Sequence, residues 1–261
     1  MRLRDAVVVV TGAGSGIGAA MARRFAAEGA AAVVVSDRDG EAAQRVADEI
    51  GGTADTTDVT DEVAVAALVE RTMAAHGRID LFCSNAGVFA DGGVEVPTEI
   101  WQQVFAVNVL SHVYAARAVL PSMLERGSGH LLNVASAAGL LTTPGDAPYS
   151  VTKHGAVALA EWLAVTYGDR GIGVSVVCPL GVATPLLLDP LEDGSSAAAV
   201  VAASGTVITA EDVAQSVVDG LSADRFLVLP HPEVGTYWAQ KAADPGRWLA
   251  GVRKLVRRTV S

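Results

Sequence analysis

Cysteine is scarce in this chain: Cys83 and Cys178 are the only two. Two thiols in apolar runs predict buried free cysteines in a reducing, cytoplasmic setting and exclude a disulfide framework. Charge is also sparse, at 18% of residues, and it leans acidic, with a formal net charge of −10. A general nucleic-acid binder carries a basic footprint, so no nucleic-acid partner is expected. The late basic cluster of Arg247, Arg253, Lys254, Arg257 and Arg258 reads as the solvated face of a terminal helix. Five histidines are scattered without metal-ligand spacing, so no metal site is expected. No apolar run of transmembrane length stands out, and Met1-Arg2-Leu3-Arg4-Asp5 leads straight into a strand, so neither a secretory leader nor a membrane partner is expected.

Aliphatic material is plentiful. The chain of 261 residues is 51% hydrophobic, enough for a sizeable core and inconsistent with disorder. Continuous apolar runs without period-two alternation predict strands at 6–11, 32–37, 81–84, 130–134, 174–178 and 226–229, with a weaker one at 53–55. Strands buried on both faces read this way. Helices are predicted at 17–28, 39–50, 61–76, 97–127, 149–169 and 210–221, followed by a C-terminal helical tail over 233–260 interrupted near Pro245. Pro97 and Thr209 mark helix starts. Strand–helix alternation implies an α/β fold, a doubly wound parallel sheet of the Rossmann kind, in a single domain spanning 1–261. The one irregular stretch, 184–206, is expected to be a substrate loop or lid.

Thr11-Gly12-Ala13-Gly14-Ser15-Gly16-Ile17-Gly18 follows the first strand and opens the first helix. Glycines let the backbone turn sharply, and a helix N-terminus offers unpaired amides to a pyrophosphate. Asp37, twenty-five residues after Gly12, ends the second strand. A carboxylate there accepts hydrogen bonds from the adenosine ribose and repels a 2′-phosphate, which favours NAD over NADP. Arg38 follows it and is the residue able to turn toward such a phosphate; otherwise it is exposed or stacks on adenine.

Tyr149 and Lys153 share a helical face at i, i+4. An adjacent ammonium is expected to lower the phenol pKa from about 10 toward about 7, which takes about 4 kcal/mol. A tyrosine tuned in this way exchanges protons with an alcohol or carbonyl oxygen.

These motifs resemble the short-chain dehydrogenase/reductase family over essentially the whole chain. Gly12, Gly16 and Gly18 stand in its glycine pattern, which brings Ser15 and Ile17 to the cofactor as well. Asp58-Val59 resembles the pair holding adenine. Ser84-Asn85-Ala86-Gly87 is similar to the family's Asn-Asn-Ala-Gly. The resemblance implies a tetrad of Asn108, Ser136, Tyr149 and Lys153. In it Ser136 binds the substrate oxygen, Lys153 also holds the nicotinamide ribose, and Asn108 positions a water leading from Lys153 to solvent. Pro179, Val182 and Thr184 keep the places that meet the nicotinamide, whereas Leu180 replaces the family glycine.

The implied activity is hydride transfer between NAD(H) and a secondary alcohol or ketone. Val88, Phe89, Leu140, Leu141 and Leu186–Leu188 suggest an apolar small-molecule substrate. An NADP-dependent carbonyl reductase and a non-catalytic dinucleotide sensor are the alternatives. The family also implies a homodimer or homotetramer, through a small apolar face including Ala115, Ala116, Ala156 and Ala160.

Overall fold

The structure is a computed structural model that describes residues 1–259. In chain order its elements begin with β1 (Val7–Thr11), α1 (Gly16–Ala27), β2 (Ala32–Asp37), α2 (Gly40–Ile50), β3 (Thr53–Thr56), α3 (Glu62–His76) and β4 (Leu81–Ser84). Then come α4 (Thr98–Phe105), α5 (Ser111–Arg126), β5 (Gly129–Val134), α6 (Ala138–Leu141), α7 (Ala147–Tyr167) and β6 (Ile172–Val177). The chain continues through α8 (Pro185–Glu192), α9 (Ser196–Ala203), α10 (Ala210–Ser222), β7 (Leu227–Val228), α11 (Pro232–Ala243) and α12 (Pro245–Thr259). Val260, where the tail helix was expected to extend, lies outside the described residues.

All seven strands are parallel, in the order β3-β2-β1-β4-β5-β6-β7. The valine runs have a direct explanation in this sheet. Val8 and Val10 pack with α1 and α10 on one face, whereas Val9 packs with α3, α5 and α7 on the other. Val33 and Val35 divide from Val34 in the same way. With both faces covered, no strand position needs a polar side chain.

The strand order reverses between β1 and β4. Helices diverge to opposite faces there, opening a crevice at the carboxyl ends of the strands, where ligands bind in open α/β sheets. Thr11 and Ser84 end those two strands.

Several expectations need correction. The stretch 184–206 is not a loop but contains α8 and α9, with Pro185 in the first turn of α8 and the Ser195 hydroxyl accepting from Ala198 N–H to cap α9. The 97–127 helix runs unbroken over Thr98–Arg126 as expected, but between α4 and α5 it passes through a π-helical segment, Ala106–Leu110, which carries Asn108. Together these segments, Thr98–Arg126, form one helix long and apolar enough to cross a membrane by length and composition, contrary to the sequence reading. Its most apolar stretch is 56% buried within the fold. Ala115, Ala116, Ala156 and Ala160 are core residues, not an outward face: each is at most 6% exposed. The short α6 was not anticipated.

Candidate active site

The glycine turn lies at the switch point. Gly12 and Gly16 adopt φ of 62° and 52°, the left-handed region that favours glycine. A Cβ on Gly12 would lie 2.8 Å from the Ala86 Cα, so the turn and the Asn85-Ala86-Gly87 segment are in backbone contact. Asn85 fixes them: its Nδ2 donates to Thr11 O at 2.9 Å and to Gly12 O at 3.1 Å. α1 then starts with Ser15 extended, no side-chain cap and no acidic residue in its first turn. Its first amides and positive dipole end face a cavity of about 420 Å³, whose wall here is Gly12, Ser15, Gly16 and Ile17. This cradle has the chemistry and the space for a pyrophosphate, so the residues present fit a dinucleotide. Gly18 is absent from the cavity wall: a Cβ there would meet Gly12 O at 2.2 Å and Asn85 Nδ2 at 2.5 Å, so its place is structural.

Asp37 and Arg38 line the same cavity, as do Asp58 and Val59. The Asp37 carboxylate is held by two backbone donors, with Gly14 N–H at 2.9 Å on Oδ2 and Asp39 N–H at 3.0 Å on Oδ1. A Cβ on Gly14 would lie 2.7 Å from the Ala42 side chain and 3.0 Å from Asp37 Oδ2, so this glycine lets the turn approach β2. Asn85, Ala86 and Gly87 continue the wall, and Pro179, Val182 and Thr184 close it from the β6 side.

Ser136, Tyr149 and Lys153 meet at this cavity. Asp146, which sequence reasoning passed over, sets the start of α7. Its Oδ1 accepts from Tyr149 N–H at 2.8 Å as the N-cap, and its Oδ2 accepts from Ala90 N–H at 2.9 Å. Asp146 is fully buried, and burial first of all pushes its carboxyl up to about 6, against the two amide hydrogen bonds. The Asp-x-Pro order before the helix was the available signal.

The electrostatics of Tyr149 depart from expectation. Its pKa is pushed up to about 12, chiefly by burial, with the nearby Ser136 hydroxyl opposing and Asp146 and Cys178 adding. Burial pushes Lys153 down to about 8. The lysine does not pair with the phenol oxygen. Its Nζ donates to Val134 O at 3.1 Å and lies 5.5 Å from the tyrosine ring centroid. At that separation the phenol's loss of hydration outweighs the ammonium's attraction.

Asn108 lies behind the cavity wall and is wholly buried. Its Oδ1 accepts from Val88 N–H at 2.9 Å, and its Nδ2 donates to Val88 O at 3.0 Å and Thr152 Oγ1 at 3.1 Å. A Cβ on Gly87 would meet both Lys153 Nζ at 3.4 Å and Asn108 Oδ1 at 3.5 Å, so Gly87 keeps the space between them clear.

A second residue missed in sequence is His231, treated there as one of the scattered histidines. It is 1% exposed. Its Nδ1 accepts from Leu180 N–H, and its Nε2 faces Gly181 O and Thr206 O, each at 3.1 Å, as a donor. His231 thereby fixes the backbone where Leu180 replaces the family glycine. Its partners lie 25 to 51 positions away, out of reach of any local pattern.

A doubly wound sheet with an anion-binding turn at its switch point, and a serine, tyrosine and lysine beside it, defines a dinucleotide-linked oxidoreductase. The match to known proteins narrows this further. The model of the short chain dehydrogenases aligns with residues 6–193, and the chain belongs to that family. It is 40% identical over 245 residues to the 1-deoxy-11-beta-hydroxypentalenate dehydrogenase of Streptomyces exfoliatus, covering 89% of this chain and 86% of that protein. Its fold superposes on a short chain dehydrogenase/reductase from Burkholderia phymatum in complex with NAD, with a TM-score of 0.84, 31% identity and coverage of 94% and 95% of the two chains. It is also similar to a 3-ketoacyl-(acyl-carrier-protein) reductase from Brucella melitensis complexed with NADH, with a TM-score of 0.78, 31% identity and coverage of 87% and 96%.

Proposed function

We propose that this protein is an NAD-dependent dehydrogenase of apolar secondary alcohols, working reversibly as a ketone reductase, with Tyr149 as the general acid and base. The observation that carries this reading is the meeting of Ser136, Tyr149 and Lys153 in the cavity that also holds the glycine turn and Asp37. The similar Streptomyces enzyme is named as the dehydrogenase of a hydroxylated compound, which supports an alcohol as substrate. Similar structures in complex with NAD and NADH, together with the Asp37 carboxylate, support NAD.

Gly12, Ser15, Gly16 and Ile17 would hold the pyrophosphate, Asp37 the adenosine ribose and Asp58-Val59 the adenine. Arg38 covers that end as an exposed side chain. Asn85, Ala86, Gly87, Pro179, Val182 and Thr184 would hold the nicotinamide half, with Lys153 on its ribose. When bound, the dinucleotide supplies a hydride donor or acceptor at C4 of its nicotinamide.

The protein's own part is proton handling and orientation. The Tyr149 phenol, protonated at neutral pH, delivers its proton to the carbonyl oxygen in reduction. In oxidation the alcohol proton returns to the phenolate form, whose share grows as pH rises. Ser136 donates a hydrogen bond to the same substrate oxygen and stabilises charge developing there. Lys153 holds positive charge beside the phenol, and Asn108 fixes the backbone across from it. Groups positioned in this way contribute about 10²–10⁴-fold.

We place the protein in a reducing, cytoplasmic compartment, on the strength of its two buried free thiols. A homodimer or homotetramer is assigned to the outward face of α7, where Val151, Trp162 and Val165 are 55%, 56% and 86% exposed along one helical stripe.

The test is a panel of apolar secondary alcohols with NAD and with NADP, followed by the absorbance of the reduced nicotinamide. Turnover with NAD supports the reading. Tight NADH binding with no turnover of any member would contradict it and favour a dinucleotide sensor.

A further inference from the structure

The turn that leaves β6 is where this chain departs from its family, with Leu180 in place of the glycine. The Leu180 φ is not positive, so the backbone there accepts a side chain. A Cβ on Gly205 would lie 2.8 Å from Leu180 Cδ2, so Gly205 leaves the room that the leucine takes. The turn is also tied to the chain that leaves α9. Ile208 N–H donates to Gly181 O at 3.0 Å and Ala183 N–H donates to Ile208 O at 2.8 Å, which pairs Val182 with Ile208 as a parallel bridge.

His231 closes this arrangement from a third direction. Pro230 and Pro232 flank it, and a residue before proline is held extended; its φ is −108° and its ψ 102°. The side chain does not cap α11, at whose start it stands, but turns to the β6 end of the sheet. Nδ1 accepts from Leu180 N–H at 3.1 Å, and Nε2 meets Gly181 O and Thr206 O, each at 3.1 Å. A ring that accepts on Nδ1 and donates on Nε2 is the neutral Nε2–H tautomer, with both nitrogens committed. One buried imidazole thus joins the turn after β6, the chain after α9 and the start of α11.

We propose that His231 is a positioning residue for the nicotinamide end of the dinucleotide. It acts through the backbone of Leu180 and Gly181, which sets Pro179, Val182 and Thr184 on the cavity wall. The inference rests on the dinucleotide reading of that cavity and deepens it. The adenine end, at Asp37 and Asp58, is built by β2 and by the chain after β3. Loss of the imidazole is therefore felt at one end of the dinucleotide and not at the other.

The test compares the affinity of the full-length protein for NADH and for ADP-ribose, which lacks only the nicotinamide. The wild type binds NADH the more tightly. His231→Ala weakens NADH by about fivefold or more and leaves ADP-ribose within about twofold. His231→Asn keeps an acceptor for Leu180 N–H, and His231→Gln keeps a donor for Gly181 O and Thr206 O, so each retains part of the preference. These two carry the comparison where the alanine variant fails to fold. In wild type labelled with ¹⁵N-histidine, His231 shows the neutral Nε2–H pattern, and NADH shifts it more than ADP-ribose does. Equal losses for the two ligands show a structural role alone and overturn the proposal, as does a preference for NADH that survives every variant. A wild-type His231 that is charged or protonated on Nδ1 alone overturns it too. Each of those results leaves the dinucleotide reading standing, whereas a wild type that binds neither ligand overturns both.

Discussion

Replacing Asp37 by alanine should reverse the choice of dinucleotide. The carboxylate lies on the cavity wall, held by Gly14 N–H at 2.9 Å and Asp39 N–H at 3.0 Å, so it cannot turn away from a phosphate added to the adenosine ribose. One pair of like charges about 4 Å apart costs about 1 kcal/mol in water and about 4 kcal/mol at an effective dielectric of 20. The partly open cavity lies between those limits, so relief of repulsion should strengthen NADPH binding by about 10–100-fold. NADH should weaken, because hydrogen bonds to a charged acceptor contribute about 1.5–3 kcal/mol, or roughly 10–150-fold. The ratio of the two affinities should therefore move by at least about a hundredfold. Quenching of protein fluorescence by NADH and NADPH gives both dissociation constants without turnover. Asp37→Asn, which keeps an acceptor for one of the two amides, should fall between. The reasoning fails if the wild type binds NADPH as tightly as NADH, or if Asp37→Ala leaves the ratio within about twofold. Either result would mean that Arg38 already neutralises the phosphate.

Asp146→Ala removes the N-cap of α7 and strands the buried Ala90 N–H, which together should cost about 2–4 kcal/mol and lower Tm by roughly 5–15 °C. Calorimetry checks this, and a Tm within about 2 °C of wild type contradicts it. Gly12→Ala should lose at least about 1–2 kcal/mol of stability and weaken NADH binding, because φ is 62° and the new Cβ meets the Ala86 backbone at 2.8 Å. Thermal unfolding with and without NADH reads both effects. Burial lowers His112 and His130 to about 4, so acidification protonates them first in the unfolded chain. Their contribution to stability is therefore lost as pH falls from about 6.5 to about 4, at up to about 1.4 kcal/mol per unit each. Asp146, raised to about 6, takes up its proton first in the folded state and offsets one of the two over that interval. Tm should still fall between about pH 7 and pH 5, and a flat or rising Tm would contradict the assignment.

The parts of the molecule legible in sequence are those that depend on neighbours along the chain. The glycine turn is contiguous and readable as such, whereas its fit to Ala86 follows from the parallel pairing of β1 with β4, which apolar runs alone do not specify. Asp37 was readable because it ends a strand. Helices α8 and α9 were missed although Pro185 stands in a first turn, where proline is at home, and Ser195 is an ordinary cap. The small residues of α5 and α7 were assigned outward although they pack against the sheet. Spacing along a helix says which residues share a face but not which face meets the core. The lysine's effect on the tyrosine was overestimated for a related reason: helical spacing brought the two together, while burial and the Val134 carbonyl, both tertiary, decide their charges. His231 required the folded chain, because its surroundings are assembled from segments far apart in sequence.

The most direct test of the central claim is single-turnover oxidation of a secondary alcohol by wild type and Tyr149→Phe, with NADH affinity measured on the same samples. The account predicts that the variant binds NADH within about threefold of wild type and loses turnover by at least about 10²-fold. A Tyr149→Phe enzyme that keeps its affinity and turns over near the wild-type rate would contradict it.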